Sequence, residues 1–502
     1  MTRSAEIAAP SPALRPAVAR TPLLALAAGV ALLLLAFAGS YGYHRDELYF
    51  LRAGRELAFG YVDQPPLTPA LAAAMDSLFP GSLLALRLPS ALAAAGLVLL
   101  TGLLAREFGG GRSAQLLAAA CLAVSSILLI AAHLLSTTTF DLLGWTALSW
   151  LLVRALRDGG PIWLAAGAVA GVALENKFSP AFLVAAVVLG VLAVGPRPAL
   201  RSPWPWLGGA LALAVWAPNL VWQAAHGWPQ LDLAEAIASG SSGTSEPWYL
   251  FLPFQLVLVS PVLVPVWAAG WWRLLRDPEL RTWRAFAVAY GLLTVFFLLT
   301  GGKPYYLAGL YPVLLAAGAG PVVAWARRGS GQGRRAALGA AVALSLLIDG
   351  VLGLPVVPVS RLADTPVADI NYDAGETVGW PGLVAAVERA HADLPAGARD
   401  VVLTRNYGEA GAVDRFAPDL GPAYSGHNSY WTWGPPPEDA DTVIAVGLPE
   451  EQLARWFGDV ETVDRFDNGV GLDNEEQGVP IVVATDRRVP WSEIWPALRR
   501  LG

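Results

Sequence analysis

TPLLALAAGVALLLLAFAGSYGYHRDELYF, residues 21–50, sets the fold. Its first twenty residues carry no charge, and a bilayer-crossing helix takes about 20 apolar residues. The last ten then crowd His44, Arg45, Asp46 and Glu47 against the end of that span. Charge beside a bilayer is costly, so such residues are functional candidates by default.

Working outward, further apolar stretches fall at 83–104, 114–134, 139–153, 161–176, 179–195, 205–223, 249–270, 285–300, 304–325 and 336–354. With 21–40 they predict about eleven transmembrane helices. Composition agrees: of 502 residues, 55% are hydrophobic and 15% charged, against about 25% charged in soluble domains. The 20 tryptophans suit a chain with long membrane–water interfaces. A net charge of −6 excludes nucleic acid as a partner, and the single Cys121, in an apolar run, excludes a disulfide framework.

Arginines mark every second loop: Arg3, Arg15 and Arg20; Arg106 and Arg112; Arg154 and Arg157; Arg197 and Arg201; Arg273 to Arg284; Arg327 to Arg335. The positive-inside rule then predicts a cytoplasmic N-terminal segment (1–20), a transmembrane domain (21–354) and an extracytoplasmic domain (355–502) in a multi-pass protein of the cell membrane. Ala36-Phe37-Ala38 resembles a signal-peptidase site, but the apolar run before it exceeds the usual 7–15 residues, so the span is expected to stay. In the tail, Val401-Val402-Leu403-Thr404, 442–446 and 481–484 read as buried strands, with helices at 381–394 and 449–457. This alternation predicts a small, mostly parallel sheet.

On this topology the misplaced charges share one membrane face. The first external loop, 41–82, carries His44 to Glu47, Tyr49, Arg52, Arg55, Glu56, and then Tyr61-Val62-Asp63-Gln64-Pro65-Pro66-Leu67. A helix over 46–58 is expected along the surface, with Pro65-Pro66 separating it from another. Asp141 opens the fourth span, Lys177 follows the fifth and Lys303 precedes Tyr305 after the ninth. Lys177 and Lys303 are the chain's two lysines, both on the side where positive charge is disfavoured. Each has a plainer alternative: Asp141 caps a helix, the lysines snorkel, and His133 and His226 are hydrogen-bonded structural residues. Arg52, Arg55 and Glu56 read as a solvated or headgroup face.

The acidic pair past the first helix, the Pro-Pro-Leu ending, the acid on the fourth helix and the lysines in two later turns resemble the GT-C glycosyltransferases. The pattern is family 39-like, similar to protein O-mannosyltransferases and lipid A aminoarabinose transferases over about residues 20–355. The resemblance implies a GT-C fold. It also implies transfer of a hexosyl or pentosyl group from a polyprenyl-phosphate carrier to a lipid, glycan or protein hydroxyl outside the cytoplasm. It makes Asp46 the catalytic acid of the motif, Glu47 its neighbour and Asp141 the second acid. Lys177, Lys303, Arg45 and Tyr305 fall to the donor phosphate. The chain departs from the aminoarabinose branch at Tyr49, where a basic residue is expected, at Gln64, where a lysine is, and at Asp63, where a metal-linked glutamate is. Arg45 or Arg52 is the candidate replacement for the lost base. Room is left for a divalent metal, with Asp63 and His226 as candidate ligands, but no ligand spacing supports one.

The chemistry stands on its own terms. A carboxylate takes the acceptor hydroxyl's proton as the bond forms, and Asp46 is the expected base. One base and one attack predict inversion at the anomeric carbon. One rival reading is a transporter or flippase, whose charges would lie at mid-membrane; Asp349, inside the last span, leans that way. A second is a catalytically dead binding or assembly protein on the same scaffold. In the tail, Asn406-Tyr407-Gly408-Glu409 and the aromatic run 424–435 are candidate ligand or packing loops, with no roles assigned.

Overall fold

The structure, a computed structural model, describes residues 15–240, 247–395 and 397–502. Arg3, counted among the cytoplasmic bases, lies outside them. Helices fill each of the eleven apolar stretches, followed by a five-stranded sheet, and the chain is a multi-pass membrane protein.

Five described helices are individually long and apolar enough to cross a bilayer: Arg20–Phe37, Leu83–Glu107, Pro278–Leu299, Pro304–Ala326 and Gln332–Gly353. Two expected spans are bent pairs. Arg112–Ala123 meets Ser126–Ala132 at 56°, and Trp248–Val259 meets Pro261–Arg276 at 83°. A break exposes backbone polar groups, which are tolerated at membrane depth only when buried in protein. Here both breaks face the Gln332–Gly353 helix. Ser126 donates to Asp349 at 2.7 Å and Ser260 to Ser345 at 2.8 Å. Asp349 thus has a local structural partner. Leu32, Trp206, Leu207, Val221 and Leu299 are exposed, as lipid-facing side chains are.

The C-terminal sheet contains β1 (Asp400–Thr404), β2 (Tyr424–Ser425), β3 (Thr442–Val446), β4 (Phe457–Arg465) and β5 (Pro480–Arg487), in the order β2-β1-β3-β5-β4. β1 pairs in parallel with β2 and β3, while β5 runs antiparallel to β3 and β4. The sheet is therefore mixed, a correction to the mostly parallel expectation. The helix expected at 449–457 shrinks to Glu450–Leu453, and β4 begins at Phe457. β4 is an edge strand whose burial alternates along its length.

Two helices join the halves. Arg45–Arg55 follows the first span, and Tyr407–Phe416 follows β1. They pack so closely that a Cβ at Gly408 would lie 2.9 Å from Arg45 Cβ, and one at Gly411 would lie 2.9 Å from Leu48 Cβ. Real Cβ atoms do not approach backbone and neighbouring side chains this closely without displacement, so the contact requires glycine. Helix Arg45–Arg55 ends ten residues before Pro65, and the next helix, Leu67–Leu78, starts at the Pro-Pro pair.

Candidate functional site

The acidic motif opens the Arg45–Arg55 helix through a capping box. His44 Nδ1 accepts from the Asp46 backbone N–H at 3.2 Å, and Glu47 accepts from the His44 N–H at 2.9 Å. This turn sends the two acids in different directions. Glu47 is fully buried and forms a two-pronged ion pair with Arg87, both contacts 2.8 Å, while the Leu135 N–H donates to it at 2.8 Å. Arg87 also donates to the carbonyls of Ala38 and Gly42. Glu47 lies outside the cavities described below, its oxygens held by this network; the acidic pair expected to act together is divided.

Asp46 faces open space. One of its oxygens accepts the Tyr407 hydroxyl at 2.8 Å. Its side chain lines two cavities. The larger, about 300 Å³, has a charged end formed by Asp46, Arg45, Lys303, Asp373 and Arg500 and an apolar wall of Ile127, Ile130, Leu134, Phe254 and Leu258. The smaller, about 130 Å³, is lined by Asp46, Tyr49, Asp63, Gln64, Asn176 and Lys177 among others. Asp46 is the charged group at their junction.

The lysines stand on either side. Lys177 Nζ lies 5.3 and 5.5 Å from the ring centres of Tyr305 and Tyr306, a cation–π arrangement. Asp46 and Asp141 both lie within electrostatic reach of it. Asp141 itself lines neither cavity; it accepts from the Ser179 hydroxyl, which in turn accepts from Trp145 Nε1 at 2.8 Å. Lys303 lines the larger cavity with Tyr305, and its ammonium is pushed down to about 8 by burial and by the neighbouring Lys177 charge.

The remaining expected residues sort by contact. His44 lines the larger cavity, with Nε2 3.7 Å from Asp373. Arg45 is there too, but it is already engaged by Glu376 at 3.0 Å, by Tyr372 at 3.2 Å and by Glu475. Tyr49 donates to Asp63 at 2.6 Å and stacks on Tyr407 at 4.8 Å. Burial pushes the Asp63 carboxyl up to about 7, against the pull of the Tyr49 hydroxyl. Gln64 is 4% exposed, and no described group hydrogen-bonds either end of its amide. A buried amide left this way invites a ligand. Arg52 points elsewhere, to Asp414 at 3.3 Å, Glu56 at 2.9 Å and the Trp433 ring at 4.8 Å. His226 is exposed and stacks on Trp222 at 4.0 Å.

Neither Asp63 nor His226 belongs to a group with metal-holding geometry. Among the described residues that geometry occurs at Glu376, Glu475 and Glu476, whose ligand atoms lie within 4.8 Å of one another. Arg45 already sits on two of these three, so a cation occupies their focus.

Sequence reasoning missed the tail's contribution: Tyr407, Asp373, His427 and Arg500 all line the larger cavity. Tyr407 and His427 fall inside the two stretches singled out without roles. Most of the 424–435 run is packing: Ser429 accepts from the Val62 N–H at 3.0 Å, and the Tyr430 hydroxyl donates to Asp414 at 2.8 Å.

Residues 63–222 match the family described as dolichyl-phosphate-mannose-protein mannosyltransferase. The ArnT structure from Cupriavidus metallidurans bound to undecaprenyl phosphate is similar with a TM-score of 0.60 and 15% identity, covering 93% of this chain and 98% of that one. The arabinofuranosyltransferase AftD from Mycobacteria is similar at 0.53 and 14%, over 93% of this chain and 40% of that one. No curated protein matches the sequence. The fold is that of the GT-C membrane glycosyltransferases, and the likeness to O-mannosyltransferases and ArnT agrees with the motif.

Proposed function

We propose that this GT-C-fold chain is a membrane glycosyltransferase that moves a sugar from a polyprenyl-phosphate carrier to an acceptor hydroxyl, with Asp46 as the base. The carrying observation is the larger cavity, which combines an apolar wall with a charged end where Lys303 and Arg500 stand with Asp46, Asp373 and Glu475. A polyprenyl phosphate has this polarity. Its tail is held in the bilayer by about 0.8 kcal/mol per buried CH₂, so its reactive phosphate stays at headgroup depth and the catalyst must meet it there.

In this reading the isoprenoid lies along Ile127, Ile130 and Leu134 and the phosphate beside Lys303. The sugar reaches toward the smaller cavity, where Gln64 and Asp63 offer polar contacts. The acceptor oxygen attacks the anomeric carbon as its proton passes to the free oxygen of Asp46. The bond from that carbon to the phosphate oxygen breaks, and its electron pair leaves with the polyprenyl phosphate. Lys303 and Lys177 offset the charge gained by the leaving group, and carboxylate charge favours the oxocarbenium-like transition state. Tyr407 positions Asp46. A single displacement inverts the anomeric centre. Sites on the extracytoplasmic face, as the arginine pattern implies, fit a carrier presented there.

The test is transfer from a panel of radiolabelled polyprenyl-phosphate sugars in membranes carrying the wild type or Asp46→Asn. Transfer by the wild type alone, with inversion, supports the reading. Equal transfer by the variant, or a trapped covalent sugar–protein adduct, refutes it.

A further inference from the structure

A third cavity lies in the C-terminal sheet and shares Arg500 with the larger Asp46 cavity. In the order β2-β1-β3, the chain leaves β1 for β2 on one side and later reaches β3 on the other. All three strands are parallel, so their carboxyl ends point one way, and between β1 and β3 the connections diverge. Open sheets bind ligands in the crevice that such a divergence leaves. Here the crevice is a cleft of about 930 Å³, floored by Thr404 at the end of β1, Arg405 just after it, Gly426 after β2 and Gly447 after β3. That volume is at the upper end of the roughly 300–1,000 Å³ seen for small-molecule sites.

Its charge is lopsided. Arg405, Arg465, Arg499 and Arg500 line it against Glu450 and Glu451. Glu450 is already held by the backbone N–H and hydroxyl of Thr462. Arg499 is spent on Asp232 at 3.3 Å and on the Trp431 ring at 5.0 Å. No described group accepts a hydrogen bond from the Arg405 or Arg500 guanidinium. Burial, followed by the charges of Arg405 and Arg45, holds Arg500 below the ordinary arginine range, against the pull of Glu409 and Tyr407. Arg500 also lines the larger Asp46 cavity, so one side chain borders both spaces.

We infer that this cleft is the subsite for an anionic glycan acceptor, whose phosphate or carboxylate groups bind Arg405, Arg465 and Arg500 while a hydroxyl reaches past Arg500 to Asp46. The inference rests on the glycosyl-transfer reading for its direction, though the cleft's anion affinity is separable from it. Guanidinium forks pair with phosphate and carboxylate oxygens through two hydrogen bonds, and this many arginines would serve a neutral sugar poorly.

The test uses the full-length protein in nanodiscs and measures binding of glucose 1-phosphate, glucuronic acid and glucose, the first two distinguishing phosphate from carboxylate recognition. One or both anionic sugars are expected to bind, glucose much more weakly, and Arg405→Gln/Arg465→Gln to lose about tenfold or more in affinity, the scale of a lost charged hydrogen bond. The same variant is expected to bind undecaprenyl phosphate like the wild type, which also shows that it is folded. Glucose binding as tightly as both anions, or unchanged anion affinity in the variant, overturns the inference. Competition between undecaprenyl phosphate and the bound anionic sugar overturns it too, because the cleft would then be the carrier's site. Arginine-dependent binding in a protein that neither binds undecaprenyl phosphate nor transfers sugar would uphold the anion site and sink the glycosyl-transfer reading instead.

Discussion

Asp46 and Glu47 are neighbours in sequence with opposite fates, and the capping box at His44 is the reason. It turns Glu47 inward to Arg87 and leaves Asp46 at the junction of two cavities. Asp46→Asn keeps the shape and removes the proposed base, so on the proposed mechanism transfer should fall by about 10²–10⁴-fold with thermal unfolding little changed. Glu47→Gln should do the reverse in origin: it leaves the buried Arg87 without its counter-charge, held only by neutral acceptors, at a cost of up to about 3–5 kcal/mol, read as a lowered unfolding temperature in detergent. Lys303 supplies a pH signature. With its ammonium near 8 rather than at the usual lysine value, it is charged at pH 7 and largely neutral at pH 9. A phosphate monoester, whose second proton leaves near pH 6, is already dianionic across that range. Affinity for undecaprenyl phosphate should therefore weaken as pH rises from 7 to 9. Lys303→Arg, charged throughout, should flatten that profile; an identical fall in the variant would clear Lys303 of the role.

The decisive element contact is between Tyr407–Phe416 and Arg45–Arg55, where Gly408 and Gly411 let two helices meet and bring Tyr407 to Asp46. Gly411→Val should cost about 1–3 kcal/mol through overpacking and pull the Tyr407 hydroxyl from Asp46. Both effects are checked by comparing unfolding temperature and transfer rate; a variant unchanged in both would show that the close approach does not matter. Elements with strong local patterns were legible: the apolar spans, the helix carrying the acids, and the buried strands β1, β3 and β5. β4 was not, because FGDVETVDR alternates charge with small apolar residues and reads as a polar connection until β5 is there to pair with it. The breaks at Val124–Ser125 and Ser260 carry only short signals, Ser125-Ser126 and Ser260-Pro261, inside otherwise apolar runs. The partners of the serine hydroxyls there, Asp349 and Ser345, come from a distant helix and could not be read locally.

At the scale of the whole molecule, the membrane helices and the sheet domain close on one space, and neither half makes it alone. Hydrophobic length made the membrane half readable, and the costly charges beside its helix ends pointed to Asp46, Lys177 and Lys303. The other wall was obscure because Tyr407, His427 and Arg500 reach the cavity only through tertiary packing, more than 350 residues along the chain from Asp46. Asp141, by contrast, carries a clear sequence signal yet stands behind Ser179, lining neither cavity and within electrostatic reach of Lys177. The most direct measurement is a structure of the full chain in nanodiscs with undecaprenyl phosphate. The phosphate is expected against Lys303 beside Asp46, with the isoprenoid running along Ile127, Ile130 and Leu134. A carrier seated instead at the opposite ends of the helices, near Arg112 and Arg327, would contradict the proposed site outright.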